Sequence, residues 1–425
     1  MLNYVVLTYF AIGLSLVVFG FLADGKPQTW ARAALFMLAC LGIKPGILGE
    51  EFGAIGAILF VPFLWSLVSS KHLLASSLKT SVLLICFLFI WESFSSGFSN
   101  VFLSGQAMAV AIIVFLSSLE FAKEPRFIQA FFKIGFALVV WQTLASFATY
   151  LLPNEFELSN SLKLGRDWTY LTNSLGANFV GSSLEFASAL KLFGISNFES
   201  LPRLTMFWGE PGIAALFVVL IASIDLRIQK RWRANIQLPL VAAILSTQSF
   251  GGLFVYLVVT ISALFVLNQP GTKASRSLLM RLAIIGFSGV VIQVLFVQSE
   301  SKFGVSSISL TDRAGESGVI GSLFQIASAP LGVGLSGGIN LIQAGVNSGL
   351  PTLILGLALY LLIPLLEIRR QGFSPIFLVP MLAAVFIQPP FLPLWLAFLG
   401  IFWGNILNSI QAKPKDAEPV TDLRI

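Results

Sequence analysis

Long apolar runs separated by short polar joins dominate the chain, at 2–22, 30–43, 52–68, 80–94, 101–119, 127–152, 204–224, 236–248, 251–268, 282–298, 351–367, 374–388 and 391–410. A bilayer core about 30 Å thick takes about 20 apolar residues in a helix, so most of these runs approach spanning length. The pattern predicts an all-α, polytopic integral membrane protein with roughly 12 or 13 transmembrane helices. Residues 1–410 form its single membrane domain, and 411–425 read as a disordered cytoplasmic tail. Met1 to Leu22 lacks a basic start and a small-residue cleavage site, so it reads as a first span rather than a signal peptide.

Two joins, Gln248-Ser249-Phe250-Gly251 and Gln388-Pro389-Pro390, interrupt long apolar stretches. Gly and Pro interrupt helices, so each join is a tight hairpin or a break within one element, and loop charge decides for hairpins. With Lys26, Arg32, Lys71, Lys79, Lys123, Arg126, Lys133, the 227–233 and 273–281 clusters, Arg369, Arg370 and the tail on one side, 19 basic residues lie inside and 7 outside. The positive-inside rule then predicts the N-terminus outside and the C-terminus inside.

Composition narrows the class further. Hydrophobic residues make up 56% of the 425 and charged ones 11%, against about 25% in soluble domains, which excludes a soluble globular protein. The net charge of +6 records loop orientation rather than nucleic-acid binding. Cys40 and Cys86 lie inside apolar runs without metal or redox spacing and read as small core residues. Two outside loops, about 153–203 and 299–350, are long and mix aromatic, glycine, polar and charged residues, which places any chemistry outside.

Among the outside basic residues, Arg203 and Arg313 punctuate the long loops. Arginine holds phosphate bidentately, and a lipid-linked diphosphate suits that donor set; headgroup snorkelling or pairing with Asp312 or Glu316 is the alternative. Glu210, in Arg203-Leu-Thr-Met-Phe-Trp-Gly-Glu-Pro-Gly, stands seven residues from Arg203 and shares a helix face with it if the segment is helical. It reads as a general base on a sugar hydroxyl, or as an acid at a helix N-terminus with Pro211 at the first helical position. The run Leu331-Gly-Val-Gly-Leu-Ser-Gly-Gly-Ile-Asn340 reads as an anion cradle or as a tight re-entrant path. The single histidine, His72, sits in an inside loop, so zinc or a Ser-His-Asp site is not expected, and no metal or other cofactor is predicted. Glu92 is the main intramembrane charge, which argues against a proton-driven pump.

The second half resembles the O-antigen polymerase and O-antigen ligase superfamily over about 200–366. Four pieces carry the resemblance in order: Arg203-Leu-Thr-Met-Phe-Trp-Gly-Glu-Pro, Ser246-Thr-Gln-Ser-Phe-Gly-Gly252, Arg313 followed by Pro330-Leu-Gly-Val-Gly334, and Asn347-Ser-Gly-Leu-Pro-Thr-Leu-Ile-Leu-Gly356. The resemblance implies a glycosyltransferase of surface-polysaccharide and lipopolysaccharide biosynthesis. It would take glycan from an undecaprenyl-diphosphate carrier at the periplasmic face of the bacterial inner membrane. It implies diphosphate binding by Arg203 and Arg313, with Arg166 as a further contact, and a chain-length regulator as a candidate partner. Two departures matter: Phe250 stands where many members carry Arg or Lys, and Gln343-Ala-Gly-Val-Asn347 lacks the histidine of the ligases. A polymerase is therefore preferred over a ligase. Glu210 is the candidate base, with Asp312 and Glu316 behind it. The rival from another class is a membrane transporter, which would favour broken helices and inverted repeats.

Overall fold

The structure is a computed structural model describing residues 2–43, 51–69, 76–95, 97, 101–151, 159–163, 169–172, 178–180, 203–208, 210–267, 318–335, 338, 340–371, 374–388, 390 and 392–411. Most of these are helical. Before the first long loop come α1 (Leu2–Leu22), α2 (Lys26–Ile43), α3 (Glu51–Ile58), α4 (Val61–Ser69), α5 (Ser76–Ser95), α6 (Val101–Ala122) and α7 (Pro125–Leu151). After it come α8 (Pro211–Gln229), α9 (Ala234–Thr247), α10 (Phe250–Leu267), α11 (Gly318–Ser328) and α12 (Leu341–Ser348). Next, α13 (Leu350–Leu357) runs through a π turn at Ala358–Leu362 into α14 (Ile363–Gln371). A 3₁₀ turn at Pro375–Phe377 opens α15 (Leu378–Leu382), which ends in a second π turn at Ala383–Ile387, and α16 (Pro393–Gln411) closes the set.

Among the described residues, five segments are long and apolar enough to cross a membrane: Leu78–Ser95, Gly105–Ala122, Pro125–Ala148, Pro211–Gln229 and Leu350–Ile368. Shorter apolar helices accompany them at Leu7–Leu22, Ile55–Leu67, Ala234–Thr247, Gly251–Leu264, Pro375–Val385 and Pro393–Ile406. The apolar run 52–68 is thus two helices broken at Leu59-Phe60, and the run 282–298 lies outside the described residues. The described residues are mostly helical, consistent with an all-α polytopic membrane protein, with one small sheet added. Within the first long loop, β1 (Ser159–Lys163), β2 (Thr169–Thr172) and β3 (Asn178–Val180) join β4 (Arg203–Leu204) in an antiparallel sheet of order β1-β2-β3-β4. The second long loop is partly helical, carrying α11 and α12.

Both interrupted joins are hairpins. The Tyr256 hydroxyl donates to Gln237 Oε1 at 3.2 Å across the α9–α10 turn; in one unbroken helix those residues would stand about 28 Å apart. Likewise Phe377 meets Phe402, ring centroids 5.5 Å apart, across the Gln388-Pro389-Pro390 join.

Helix α8 is the axis of the assembly. Its sequence is apolar all round as far as Ala222, and every residue from Pro211 to Leu226 is buried, Ser223 and Asp225 included. Glycines set the closest helix contacts. Gly400 and Gly404, spaced as in a Gly-x-x-x-Gly motif, let α16 lie parallel on α6: a Cβ on either would fall 2.5 Å from the Phe115 carbonyl or 2.3 Å from that of Leu119. Aromatic packing does similar work where Phe36 of α2 stacks on Phe121, with centroids 4.1 Å apart, and meets Phe60, Phe63 and Phe131 edge-on.

Basic residues gather at one end of this bundle. Arg32 lies over Phe127 beside the α6–α7 turn that carries Lys123 and Arg126. Arg227 of α8 donates to Asn405 Oδ1 at 3.3 Å, next to the Gly404 contact with Leu119 and Ala122. Glu210 and the Thr247–Ser249 turn occupy the opposite end of α8–α10, about 28 Å away by the helical rise.

Candidate functional site

Three chain segments far apart in sequence meet at that opposite end. The first runs from Arg203 to Pro211. Arg203 lies on β4 opposite Val180, with Leu204 opposite the fully buried Phe179. The chain then turns through Met206, whose φ of 53° is unusual for a residue with a side chain. Trp208 anchors the turn: it is buried, stacks at a tilt on Phe217 with centroids 4.5 Å apart, and its indole N–H donates to the Cys40 carbonyl at 3.4 Å. Arg203 and Glu210 therefore do not share a helix face. One stands on a strand and the other at the N-cap of α8, with Pro211 at the first helical position.

The second segment is the α9–α10 hairpin. Gln248 takes a left-handed conformation, φ 49° and ψ 35°, and its N–H closes α9 on the Leu245 carbonyl. Ser249 then caps α10, its Oγ accepting from the Gly252 N–H at 3.2 Å. Arg203 is tied to this turn, because its Nε donates to the Thr247 carbonyl at 3.2 Å. That carbonyl ends α9, where a cation is favoured by the helix dipole. Among the described residues only Met206, Lys230 and Gln248 combine a side chain with positive φ, and two of the three flank this cluster. Such conformations cost about 1 kcal/mol or more and persist where the surroundings hold them.

The third segment is the end of the second π turn. Gln388, 2% exposed, leaves the helix in extended geometry, and its Nε2 donates to Glu210 Oε1 at 2.7 Å. Glycines allow the approach. A Cβ on Gly252 would fall 2.2 Å from that of Ala215, so α8 and α10 touch near their N-termini. A Cβ on Gly212 would lie 2.9 Å from Gln388 Nε2 and 3.9 Å from both Glu210 Oε1 and Ser249 Oγ. The N-termini of α8 and α10 thus open beside Arg203, Glu210, Ser249 and Gln388, and paired helix N-termini with an arginine favour a bound anion.

The described start of the glycine-rich run, Leu331 to Leu335, forms a backbone crossing. Val333 and Leu335 donate their N–H groups to the Asn347 carbonyl, and Leu350 N–H donates to that of Pro330 at 2.8 Å. Gly332 (φ 83°) and Gly349 (φ 94°) make this crossing possible, since a Cβ on Gly332 would fall 2.5 Å from the Asn347 carbonyl. Trp91 of α5 donates its indole N–H to the Ser348 carbonyl at 2.6 Å. Ile326, Leu341, Leu353 and Val385 then form a small second core that seats α11–α13 against the turn ending at Gln388.

Of the predicted site residues, the structure brings Arg203 and Glu210 to one end of α8–α10. Arg313 and Arg166 lie outside the described residues, as do Asp312, Glu316 and His72. No group of three or more His, Cys, Asp or Glu side chains suited to a metal is present among the described residues. Sequence reasoning missed Gln388 as a partner of Glu210. Its one local signal is a polar side chain between an apolar run and two prolines. No family model, curated protein or solved structure matches this chain.

Proposed function

We propose that this protein is a polysaccharide polymerase of the bacterial inner membrane, transferring glycan from an undecaprenyl-diphosphate carrier to the sugar of another lipid-linked repeat unit. Its catalytic loops face the periplasm, and the basic end of the bundle faces the cytoplasm. The observation that carries this reading is the convergence of Arg203, Glu210 and two helix N-termini at the end away from the basic cluster. The order of the motifs that resemble the O-antigen polymerase and ligase superfamily supports it, as does the absence of a histidine from Gln343–Asn347.

The arrangement suits displacement at an anomeric carbon. The acceptor hydroxyl gives its proton to the Glu210 carboxylate as its oxygen bonds to that carbon. The bond from the carbon to the diphosphate breaks with its electron pair on the leaving oxygen, and Arg203 with the N–H groups of α8 and α10 stabilises the charge. Arg313 and Arg166 are the further diphosphate contacts of this proposal. Apolar helices hold the polyprenyl tails and align donor with acceptor.

The test is an assay of purified protein in nanodiscs with undecaprenyl-diphosphate-linked repeat units, products resolved on gels. A ladder of lengthening glycans that Glu210→Gln abolishes while the protein stays folded supports the reading. Transfer to a lipid A core without a ladder makes the protein a ligase, and movement of substrate across liposomes without transfer makes it a transporter.

A further inference from the structure

A carboxylate that takes a proton from an incoming hydroxyl works only if its oxygen is held at a fixed place, and here the holding group lies outside the motif that carries the carboxylate. Glu210 makes no side-chain cap on its own helix. It accepts instead from Gln388 Nε2 at 2.7 Å, a donor 178 residues away at the end of the second π turn. Gln388 is itself almost fully buried, so its amide is confined. Gly212 borders the bond, leaving room for the amide that any larger residue would take: a Cβ there would stand 2.9 Å from Nε2. The neighbour that would yield is the free end of a flexible side chain, so an added methyl displaces the amide rather than the backbone.

The geometry points to Gln388 as a positioning residue for the transfer reaction, holding the Glu210 carboxylate through one oxygen, with Gly212 as the residue that admits it. This rests on the assignment of Glu210 as the base. Gln388 touches neither donor nor acceptor in this account; it acts through Glu210.

Four variants in nanodiscs test this: Gln388→Leu, Gly212→Ala, Glu210→Gln and the exchange Glu210→Gln/Gln388→Glu. Gln388→Leu is expected to lower kcat for glycan transfer about tenfold to a hundredfold with KM for the lipid-linked donor unchanged. Gly212→Ala is expected to act in the same direction and less. The exchange keeps an amide–carboxylate bond but moves the carboxylate, so it is expected to fold and to be inactive. An exchange variant as active as wild type, or a Gln388→Leu with unchanged kcat, overturns the proposal, since both belong to a link that only holds helices together. A second readout needs no turnover. The infrared carboxylate stretch lost in Glu210→Gln is expected to shift in Gln388→Leu and Gly212→Ala, and an unmoved band overturns the proposal. If wild type makes no ladder while the band shifts, the link between Gln388 and Glu210 stands and the polymerase reading falls.

Discussion

The two ends of the α8–α10 bundle place their charges in different settings. At the basic end, Asp225 is 1% exposed and accepts from Arg233 through one oxygen and from Gln237 Nε2, 2.9 Å away, through the other. Gln237 accepts in turn from Tyr256, whose hydroxyl accepts from the Trp232 indole at 3.3 Å. Charge, amide, phenol and indole close on one another, which is how a buried carboxylate is made tolerable. At the other end, Glu210 accepts from the Gln388 amide and the Arg203 Nε donates to the Thr247 carbonyl. One end uses its charges to join helices; the other sets a carboxylate and a guanidinium beside two helix N-termini. On the proposed function, structural and chemical roles are separated along the axis of the same three helices.

Substitutions break this comparison with graded effects. The largest is expected from Arg203→Ala, which lowers the rate of glycan elongation by about a hundredfold or more while the melting temperature in detergent holds, because a developing charge loses its donor. Next, Asp225→Asn leaves the partly exposed Arg233 without its counter-charge and costs about 2 kcal/mol of stability, read as a lowered melting temperature. The rate of its folded fraction stays at the wild-type value, which is what separates the two ends. Gly332→Ala follows. It forces a methyl against the Asn347 carbonyl at positive φ and destabilises the protein by about 1–3 kcal/mol, measured by the same melting experiment. The smallest effect is expected from Trp91→Phe, which removes the bond to the Ser348 carbonyl and costs about 1 kcal/mol.

Much of this division is legible in the sequence. Apolar runs mark the helices because a bilayer demands them, and glycines and prolines mark the turns at Gln248 and Gln388 because they suit φ values and missing donors that helices do not. Grouping the basic residues by loop anticipates their gathering at one end. The break at Leu59-Phe60 leaves no trace, since both residues are apolar and helix-compatible. Arg203 and Glu210 are legible as residues but not as geometry. A helical spacing suggests one face, whereas pairing of β4 with β3, 23 positions earlier at Val180, makes the segment a strand. Gln388 is the hardest part to read, because its meaning depends on a neighbour 178 residues away. The glycine-rich run illustrates a different difficulty: its composition fits an anion cradle and a backbone crossing equally, and the crossing at Val333 and Leu335 is visible only in their bonds to Asn347.

On the proposed function, the end of the bundle holding Arg203 and Glu210 binds a diphosphate and the basic end does not. The direct measurement is the affinity of the protein in nanodiscs for a polyprenyl diphosphate, compared across wild type, Arg203→Ala and Asp225→Asn. Arg203→Ala is expected to weaken binding about tenfold or more and Asp225→Asn to leave it unchanged. Equal affinity in all three, or loss in Asp225→Asn alone, would contradict it.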